Sequence, residues 1–495
     1  MLPRPRAALA ATVLASLTLA GAAYASPTRL DPGFAGSGVL TLHAATHDEV
    51  VADLDTLRFG KTTVLVLTHS DPAIELYRLR RNGAPDPTFG GGDGVVAFAP
   101  AADYRDVHLA VDPHNGDSYV SAFLAGTTSP TTVWRIDNNG VPDTAYGGGG
   151  TGSVTVDQRR VRGLVALPGG LLLMAGTDLT THTSHVWRLD DTGSPDPGFG
   201  TGGDALLSTD PADELTGLAR SAGGRAVVAG DHRDATASTL LAFRLTPQGT
   251  LDPTFSGNGR AHVDPSRHRV TTSRVWTPQV LVRPDTGPLF VAGLTQHHAG
   301  TTDTLLVAGL TPSGKPDPVF GRHVLTGLSE RSGEAALQRD GKVVVAGFRP
   351  PAPGTRTAVA RLTAHGHLDP SWSGNGVLSL AGTSDPVALG ITPYGRVEVA
   401  RTVGTGPYDA EVRALVGTPT PTCDGALATQ FGSGRADRLV GTRYDDVLVG
   451  RGGNDVLRGW TGADILCGNR GDDTLVGGKG TDVLLGGPGH NTLTP

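Results

Sequence analysis

Cysteine occurs twice in 495 residues, and so does methionine. Two thiols are too few for a cysteine-rich zinc site or a disulfide-framework fold. Lysine and arginine nowhere gather into a basic patch, and the net charge is only −7. That argues against nucleic-acid binding and against a polybasic membrane anchor. Beyond the N-terminus no apolar run approaches the ~18 residues a membrane helix needs, so no membrane span is expected. Apolar residues at three- and four-residue spacing are scarce, which speaks against a helical bundle. There is no Gly-x-Ser-x-Gly elbow and no His-Glu-x-x-His pair. Gly60-Lys61-Thr62 ends like a phosphate loop, but Asp55 stands where the earlier glycine belongs. It reads as a hairpin turn.

Glycine and proline are plentiful instead, 71 and 35 residues, without a Gly-X-Y period. Frequent turns between runs of Val, Leu and Thr favour an all-β protein. The start, MLPRPRAALAATVLASLTLAGAAYAS, has Arg4 and Arg6 ahead of an apolar stretch, Ala7–Ala20. Ala23-Tyr24-Ala25 is a small-x-small cleavage site, so residues 1–25 read as a signal peptide with Ser26 as the mature start. Export implies an oxidising, extracellular destination.

One phrase recurs through the body. It appears as LDPGFAGSG (30–38), PDPTFGGGDG (85–94), PDTAYGGGG (142–150), PDPGFGTGG (195–203), LDPTFSGNG (251–259), PDPVFGRH (316–323) and LDPSWSGNG (368–376). Its aspartates, Asp31, Asp86, Asp143, Asp196, Asp252, Asp317 and Asp369, are spaced by 55, 57, 53, 56, 65 and 52 residues. An alternating strand ending in a Gly turn precedes each phrase, as in VWRLDDTG, and an apolar hairpin strand such as GKVVVAG precedes that. A short strand such as GVLTL follows the phrase, and a weaker one such as VVADL completes the unit. Four strands per unit of this length is the pattern of a β-propeller blade. Six units lie between the phrases and 376–417 supplies another, so the expectation is a seven-bladed propeller over 27–417. An open β array, or a ring of six or eight blades, is the alternative. The phrase resembles the bacterial delta-60 repeat, a propeller-like family of secreted or surface proteins without a settled activity.

Physically, the Asp-Pro pair stiffens a turn, the aromatic inserts between sheets and the glycines permit positive φ. An arginine stands eight residues before the aspartate in five copies: Arg78, Arg135, Arg188, Arg244 and Arg361. A catalytic group is needed once, so a structural Arg–Asp pair is expected. Gly309 takes the arginine's place in one copy. His262, His268, His297 and His298 fall in the unit with the longest spacing. They are either a ligand-binding loop pair or plain polar loops. Asp48 with Glu49, and Asp103 with Arg105, read as solvated loop charge.

TPTPT (418–422) opens a linker over 418–431. From Gly432 to the end the chain repeats in nines: GSGRADRLV, GTRYDDVLV, GRGGNDVLR, GWTGADILC, GNRGDDTLV, GGKGTDVLL, GGPGHNTLT. Position one is always Gly and position eight always Leu. Position six is Asp437, Asp446, Asp455, Asp464, Asp473, Asp482 and finally Asn491. This G-G-x-G-x-D-x-U-x pattern reads as a calcium-binding parallel β-roll over 432–495. It resembles the haemolysin-type (RTX) calcium-binding repeat. Ca²⁺ is a hard cation that takes six to eight oxygens, and Gly-rich turns with one carboxylate each supply them. The resemblance implies two nonapeptides per coil, which stacks Asp455 on Asp473 and Asp464 on Asp482. The expected metal residues are Asp446, Asp455, Asp464, Asp473, Asp482 and Asn491, with the middle turns binding best. Related modules carry cysteines in similar places, so Cys423 and Cys467 are expected to form a disulfide across the roll.

Together these readings describe a secreted calcium-binding protein, surface-associated or free, whose propeller binds an unidentified extracellular ligand and is not an enzyme. The alternative is a secreted hydrolase with its site in the propeller channel and the roll as an accessory.

Overall fold

A computed structural model describes residues 30–495 apart from 43–48, 58–59, 69–72, 100–103, 125–129, 234–237, 264–272, 284–286, 297–303, 326–328, 350–355, 374, 405–407, 417–420, 433 and 442–444. The signal-peptide reading, His268, His297 and His298 therefore lie outside the described residues. No helix among the described residues is long and apolar enough to cross a membrane.

The body is all antiparallel β. After β1 (Val39–Leu42), the first sheet comprises β2 (Glu49–Thr56), β3 (Thr62–Thr68), β4 (Ala73–Leu79) and β5 (Val95–Ala97). The second holds β6 (Tyr104–Val111), β7 (Ser118–Leu124), β8 (Thr131–Ile136) and β9 (Ser153–Val156). The third holds β10 (Arg159–Ala166), β11 (Leu172–Asp178), β12 (Thr183–Leu189) and β13 (Asp204–Ser208). The fourth holds β14 (Asp213–Ser221), β15 (Arg225–Arg233), β16 (Ser238–Leu245) and β17 (Arg260–Val263). The fifth holds β18 (Ser273–Arg283), β19 (Gly287–Gln296), β20 (Thr304–Gly309) and β21 (Arg322–Leu325). The sixth joins β22 (Ser329–Leu337), β23 (Val343–Arg349), β24 (Arg356–Leu362), β25 (Val377–Ile391), β26 (Val397–Val403) and β27 (Asp409–Leu415) to β1.

Among the described residues, hydrogen bonding thus divides the body into six sheets, five of four strands and one of seven, where the repeat suggested seven units. The reason is β25, which runs on without a break. Val377–Thr383 pair with β24, and Ser384–Ile391 pair with β26. β1 closes the body by pairing with β27, Val39 opposite Arg413. The first strands β2, β6, β10, β14, β18, β22 and the second half of β25 pack side by side, and β25 returns to β2. Second strands such as β3 are buried on both faces, hence their unbroken apolar runs.

The recurrent phrase fastens one sheet to the next. Its aromatic is buried in every copy: Phe34, Phe89, Tyr146, Phe199, Phe255, Phe320 and Trp372. Burying each stabilises the fold by about 1.5–3 kcal/mol. The turn glycine of the following unit lies against that ring. A Cβ on Gly249 would come 2.9 Å from Phe199, and on Gly140 it would come 3.2 Å from Phe89. The residue after the aromatic donates to the same turn, Gly200 N–H to Gln248 O at 2.8 Å and Gly90 N–H to Asn139 O at 2.9 Å.

The expected Arg–Asp pair forms as an ion pair in four copies, three of them through Nε. Nε of Arg188, Arg244 and Arg361 donates to Asp196, Asp252 and Asp369 at 2.7, 2.9 and 2.9 Å. Arg135 is 3.4 Å from Asp143 but bonds Asp117 at 2.8 Å. Arg78 departs from the rule. It donates to Ser118 and to the Gly116 carbonyl, and Asp86 takes Lys61 at 2.6 Å instead. At Gly309 a Cβ would come 3.1 Å from Phe320 and 3.2 Å from Asp317. Glu49, read as solvated charge, is wholly buried on β2. Gly60-Lys61-Thr62 makes the hairpin from β2 to β3, with Gly60 at φ +73°.

Past the body come β28 (Thr422–Cys423), β29 (Ala426–Leu427), β30 (Gln430–Phe431), β31 (Arg438–Val440), β32 (Val447–Gly452), β33 (Val456–Thr461), β34 (Ile465–Arg470), β35 (Thr474–Lys479), β36 (Val483–Leu485) and β37 (Thr492–Thr494). These last strands form two parallel sheets, β30-β32-β34-β36 and β31-β33-β35-β37. The tail is a β-solenoid. β30, inside the stretch read as linker, already pairs in parallel with β32.

Candidate metal centre

In the middle repeats each nonapeptide runs six residues as a strand, Val447–Gly452, Val456–Thr461, Ile465–Arg470 and Thr474–Lys479, with three residues between successive strands. Register repeats every eighteen residues: Leu448 opposite Leu466 and Leu466 opposite Leu484, then Leu457 opposite Leu475 and Leu475 opposite Leu493. Position eight therefore makes a leucine core. Leu448, Leu457, Leu466 and Leu475 are fully buried, while Leu493 in the last strand is 46% exposed.

Position six forms two ladders along the coil. The N–H of Asp437 donates to Asp455 Oδ1 and that of Asp455 to Asp473 Oδ1, both at 2.8 Å. Asp473 N–H continues to Asn491 Oδ1 at 2.9 Å. On the other side Asp446 N–H donates to Asp464 Oδ1 at 2.8 Å, and Asp464 N–H to Asp482 Oδ1 at 2.9 Å. The stacking expected from sequence is thus present, and Asp437, outside the expected ligand set, opens one ladder. Position five runs a second ladder in the opposite direction. Asp445, Asn454 and Asp472 accept from Ala463, Asp472 and His490.

Each ladder bond occupies one carboxylate oxygen. The other, Oδ2, is buried and unpartnered in Asp455, Asp464 and Asp473. Position-one glycines face these atoms. A Cβ on Gly450 would run into Asp455 Oδ2 and lie 2.8 Å from the Gly468 carbonyl oxygen. Gly459 stands likewise toward Asp464 Oδ2 and Gly477 O, and Gly468 toward Asp473 Oδ2 and Gly486 O. An orphaned carboxylate oxygen and a backbone carbonyl therefore converge beside a residue that must lack a side chain. The donors are all oxygen, the set a hard dication prefers. Such buried acceptors are costly without a partner. Burial, partly offset by the backbone N–H and reinforced by neighbouring carboxylates, pushes Asp455 and Asp464 up to about 6.

Positive φ at positions two and four shapes the turns. Position four is Gly453, Gly462, Gly471, Gly480 and Gly489. Position two is glycine only late, at Gly478 and Gly487. Arg451, Trp460 and Asn469 hold φ +77°, +89° and +67° there. Asp446 accepts from Thr429 Oγ1 at 2.9 Å. Thr429 stands eighteen residues before Val447, but it precedes the first in-phase glycine and carried no sequence signal. Cys423 and Cys467 form a disulfide with Cα atoms 5.9 Å apart, packed with Ala428, Phe431 and Val449. It ties the lead-in segment to β34.

Among the described residues one group of three His, Cys, Asp or Glu side chains has metal-ligand spacing, Asp210, Asp213 and His232. There His232 Nδ1 meets Asp213 Oδ1 at 2.6 Å, and Asp213 Oδ2 takes both Ser208 and Arg260. A cation, Arg260, already occupies this place. His262 is exposed, and partial desolvation of its ring with the nearby Arg260 charge lowers its pKa.

Residues 431–466 and 461–493 match the family described as RTX calcium-binding nonapeptide repeat (4 copies). Residues 224–255 and 338–371 match the family described as Domain of unknown function (DUF5122) beta-propeller. No curated protein matches the chain. Among solved structures, a catalytically inactive virginiamycin B lyase from Staphylococcus aureus with quinupristin is 10% identical at TM-score 0.43, covering 76% of this chain and 98% of its own. The calcium-binding protein regucalcin from Agrobacterium tumefaciens is 12% identical at TM-score 0.33, covering 63% and 91%. Both likenesses are distant.

Proposed function

From a chain that carries RTX calcium-binding nonapeptide repeats at 431–493 and a DUF5122 beta-propeller in its body, we propose a secreted calcium-binding protein, surface-associated or free. Its propeller is a non-enzymatic binding scaffold. Asp446, Asp455, Asp464, Asp473, Asp482 and Asn491 are the metal residues, with Asp455, Asp464 and Asp473 the strongest. The observation that carries this is the buried, unpartnered Oδ2 of those three aspartates. When bound, the ion supplies positive charge to oxygens that otherwise repel one another, so folding of the tail is linked to calcium. Calcium is scarce inside cells and abundant outside, which suits a tail that completes its fold after export.

Residues 1–25 are the proposed signal peptide, directing the chain to the general secretory route. The proposed division is a propeller over 27–417, a linker over 418–431 and a roll over 432–495. In the propeller, the seven-stranded sheet counts as two blades that share the unbroken β25. That reading gives seven blades, the last closed by β1. A secreted hydrolase is the second reading, favoured by two first-strand carboxyl groups, Asp53 and Glu334, of which Asp53 is pushed well up by burial and by the charge of Glu334.

The test is isothermal titration of the full mature chain with calcium, with thermal unfolding in calcium and in EDTA. Expected are saturable binding and a stabilised second transition, both lost in Asp464→Ala. Absence of calcium binding in the unsubstituted chain would overturn the assignment.

A further inference from the structure

In four copies the phrase aromatic carries a guanidinium stacked on it. Arg78, Arg188, Arg244 and Arg361 lie over Phe89, Phe199, Phe255 and Trp372, with Cζ 4.5, 4.7, 4.8 and 4.6 Å from the ring centres. Arg188 goes on to the facing turn, donating to Pro247 O at 2.7 Å. Where the sixth sheet meets the first, the phrase is that of Asp31 and Phe34 and the facing turn is 80–83. Ala35 N–H donates there to Asn82 O at 2.7 Å. The arginine's place is taken by Ala414, whose carbonyl accepts from Asp31 N–H at 2.9 Å, as the Arg188 carbonyl accepts from Asp196 N–H at 2.9 Å. Alanine is too short to reach the turn. Arg396, just before β26, takes over the stacking on Phe34 at 4.9 Å, and its hydrogen bonds go to Glu398 at 2.6 and 2.9 Å. A cavity of about 470 Å³ opens at this seam, lined by Asp31, Gly33, Arg80, Arg81, Asn82 and Arg396.

The facing turn is also an exception among its kind. In the turns before the next five phrases the place of Arg80 is held by Asp137, Asp190, Thr246, Thr311 and Thr363. Each of those side chains accepts an N–H of its own turn, as Asp137 Oδ1 does from Val141 at 2.8 Å. Arginine has no acceptor to offer. Asn82 Oδ1 takes the N–H of Ala84 instead, at 3.1 Å. Arg81 likewise stands where the other turns have Asn138, Asp191, Pro247, Pro312 and Ala364. The repeat itself therefore calls for neither arginine. Both are exposed, and among the described residues neither has a carboxylate in ion-pair range. Arg81 is held over the ring of Tyr394, Cζ 3.7 Å from its centre, which orients its fork in advance.

We propose that this seam is a binding site for a sulfate or phosphate group, held by Arg80 and Arg81, with Arg396 in the cavity wall. Asp31 stands 3.6 Å from Arg396, and Glu398 bonds Arg396 directly. Two carboxylates thus meet three guanidiniums, and positive charge is left over at Arg80 and Arg81. Planar guanidinium forks match pairs of oxygens on a tetrahedral oxyanion. The cavity lies within the range of small-molecule sites, roughly 300–1,000 Å³, and exceeds what a bare tetrahedral anion fills. It suits an ester of a small molecule such as a sugar, with the anionic group on the two turn arginines.

The test is calorimetric titration of the calcium-loaded full chain with inorganic sulfate, glucose 6-sulfate and glucose 6-phosphate at one ionic strength. Saturable binding is expected, tighter for an ester than for the free anion. The reverse order would identify free sulfate as the ligand. Arg80→Gln and Arg81→Gln should each weaken binding roughly tenfold or more, the loss of one charge-assisted bond. The melting temperature should be retained, because both side chains are exposed. Arg458→Gln, at an exposed position of the roll, removes the same charge and should leave binding unchanged. No binding of any of the three probes, or binding unchanged in both turn variants, would overturn the proposal. So would an equal weakening in Arg458→Gln, which would make the effect one of net charge.

Discussion

The backbone N–H of Asp455 donates to Oδ1 of Asp473 at 2.8 Å, one coil and eighteen residues away. That bond turns the second oxygen of Asp473 inward, where it is buried without a partner. Repeated along both ladders, the same geometry makes the roll a stack of half-satisfied carboxylates. The tail's behaviour should follow from that incompleteness.

Without calcium, the roll should gain stability as the pH falls. Asp455 and Asp464 have folded pKa values near 6, above the unfolded value. Ionising them therefore destabilises the folded state, fully above pH 6, and the penalty fades as they protonate between about 6 and 4. Thermal unfolding in EDTA at pH 7.5 and 5 should show the second transition rising at the lower pH. Calcium affinity should fall over the same window, because protonation removes the charge that the ion needs. An apo transition that drops on acidification would contradict this account.

Trp460→Gly should stabilise the roll by about 1 kcal/mol. Trp460 sits at φ +89° and is 62% exposed, so its side chain adds strain and little packing. Gly478, eighteen residues on in the same column, is at φ +115° as glycine. Chemical denaturation of the calcium-bound chain measures the change. A destabilised variant would mean that the indole ring contributes more than the backbone loses.

Reducing the disulfide, or replacing Cys423 and Cys467 by serine, should destabilise the roll by about 4 kcal/mol in the chain-entropy description. The bond closes a separation of 44 residues and lies in the small cluster with Phe431. The unreduced mature protein should show no titratable thiol. The readout is the second unfolding transition with and without reductant.

Arg188→Met should destabilise the body by about 2 kcal/mol. Its guanidinium bonds Asp196 at 2.7 Å and reaches the Pro247 carbonyl of the next sheet at 2.7 Å. A single change thus loosens a pair and an inter-sheet contact together. Unfolding of the propeller transition by denaturant gives the figure. An unchanged midpoint would remove the structural role assigned to the arginine.

Local chemistry that repeats was legible in the sequence. Phase at three positions marked the roll, its leucine core and its aspartate columns, because an eighteen-residue coil lays equal positions on one another. The phrase marked the inter-sheet fastening, because buried aromatics and turn glycines must recur wherever two sheets meet. What recurs only once was not legible. Glu49 looked like loop charge until β2 and its neighbours enclosed it. Thr429 lay outside the beat, yet the first coil brings it to Asp446. The arginine rule held for Arg188, Arg244 and Arg361 but failed for Arg78, whose partners come from the next sheet.

The amino-acid sequence by itself determined the all-β class, the nonapeptide tail and the oxygen-rich turns, since each depends on spacing along the chain. Only the tertiary structure decided which oxygen of each aspartate is left over, that β25 serves two neighbours unbroken, and that Thr429 meets Asp446. Those facts depend on residues far apart in sequence, brought together by sheet packing and ring closure, and no local pattern encodes such distances.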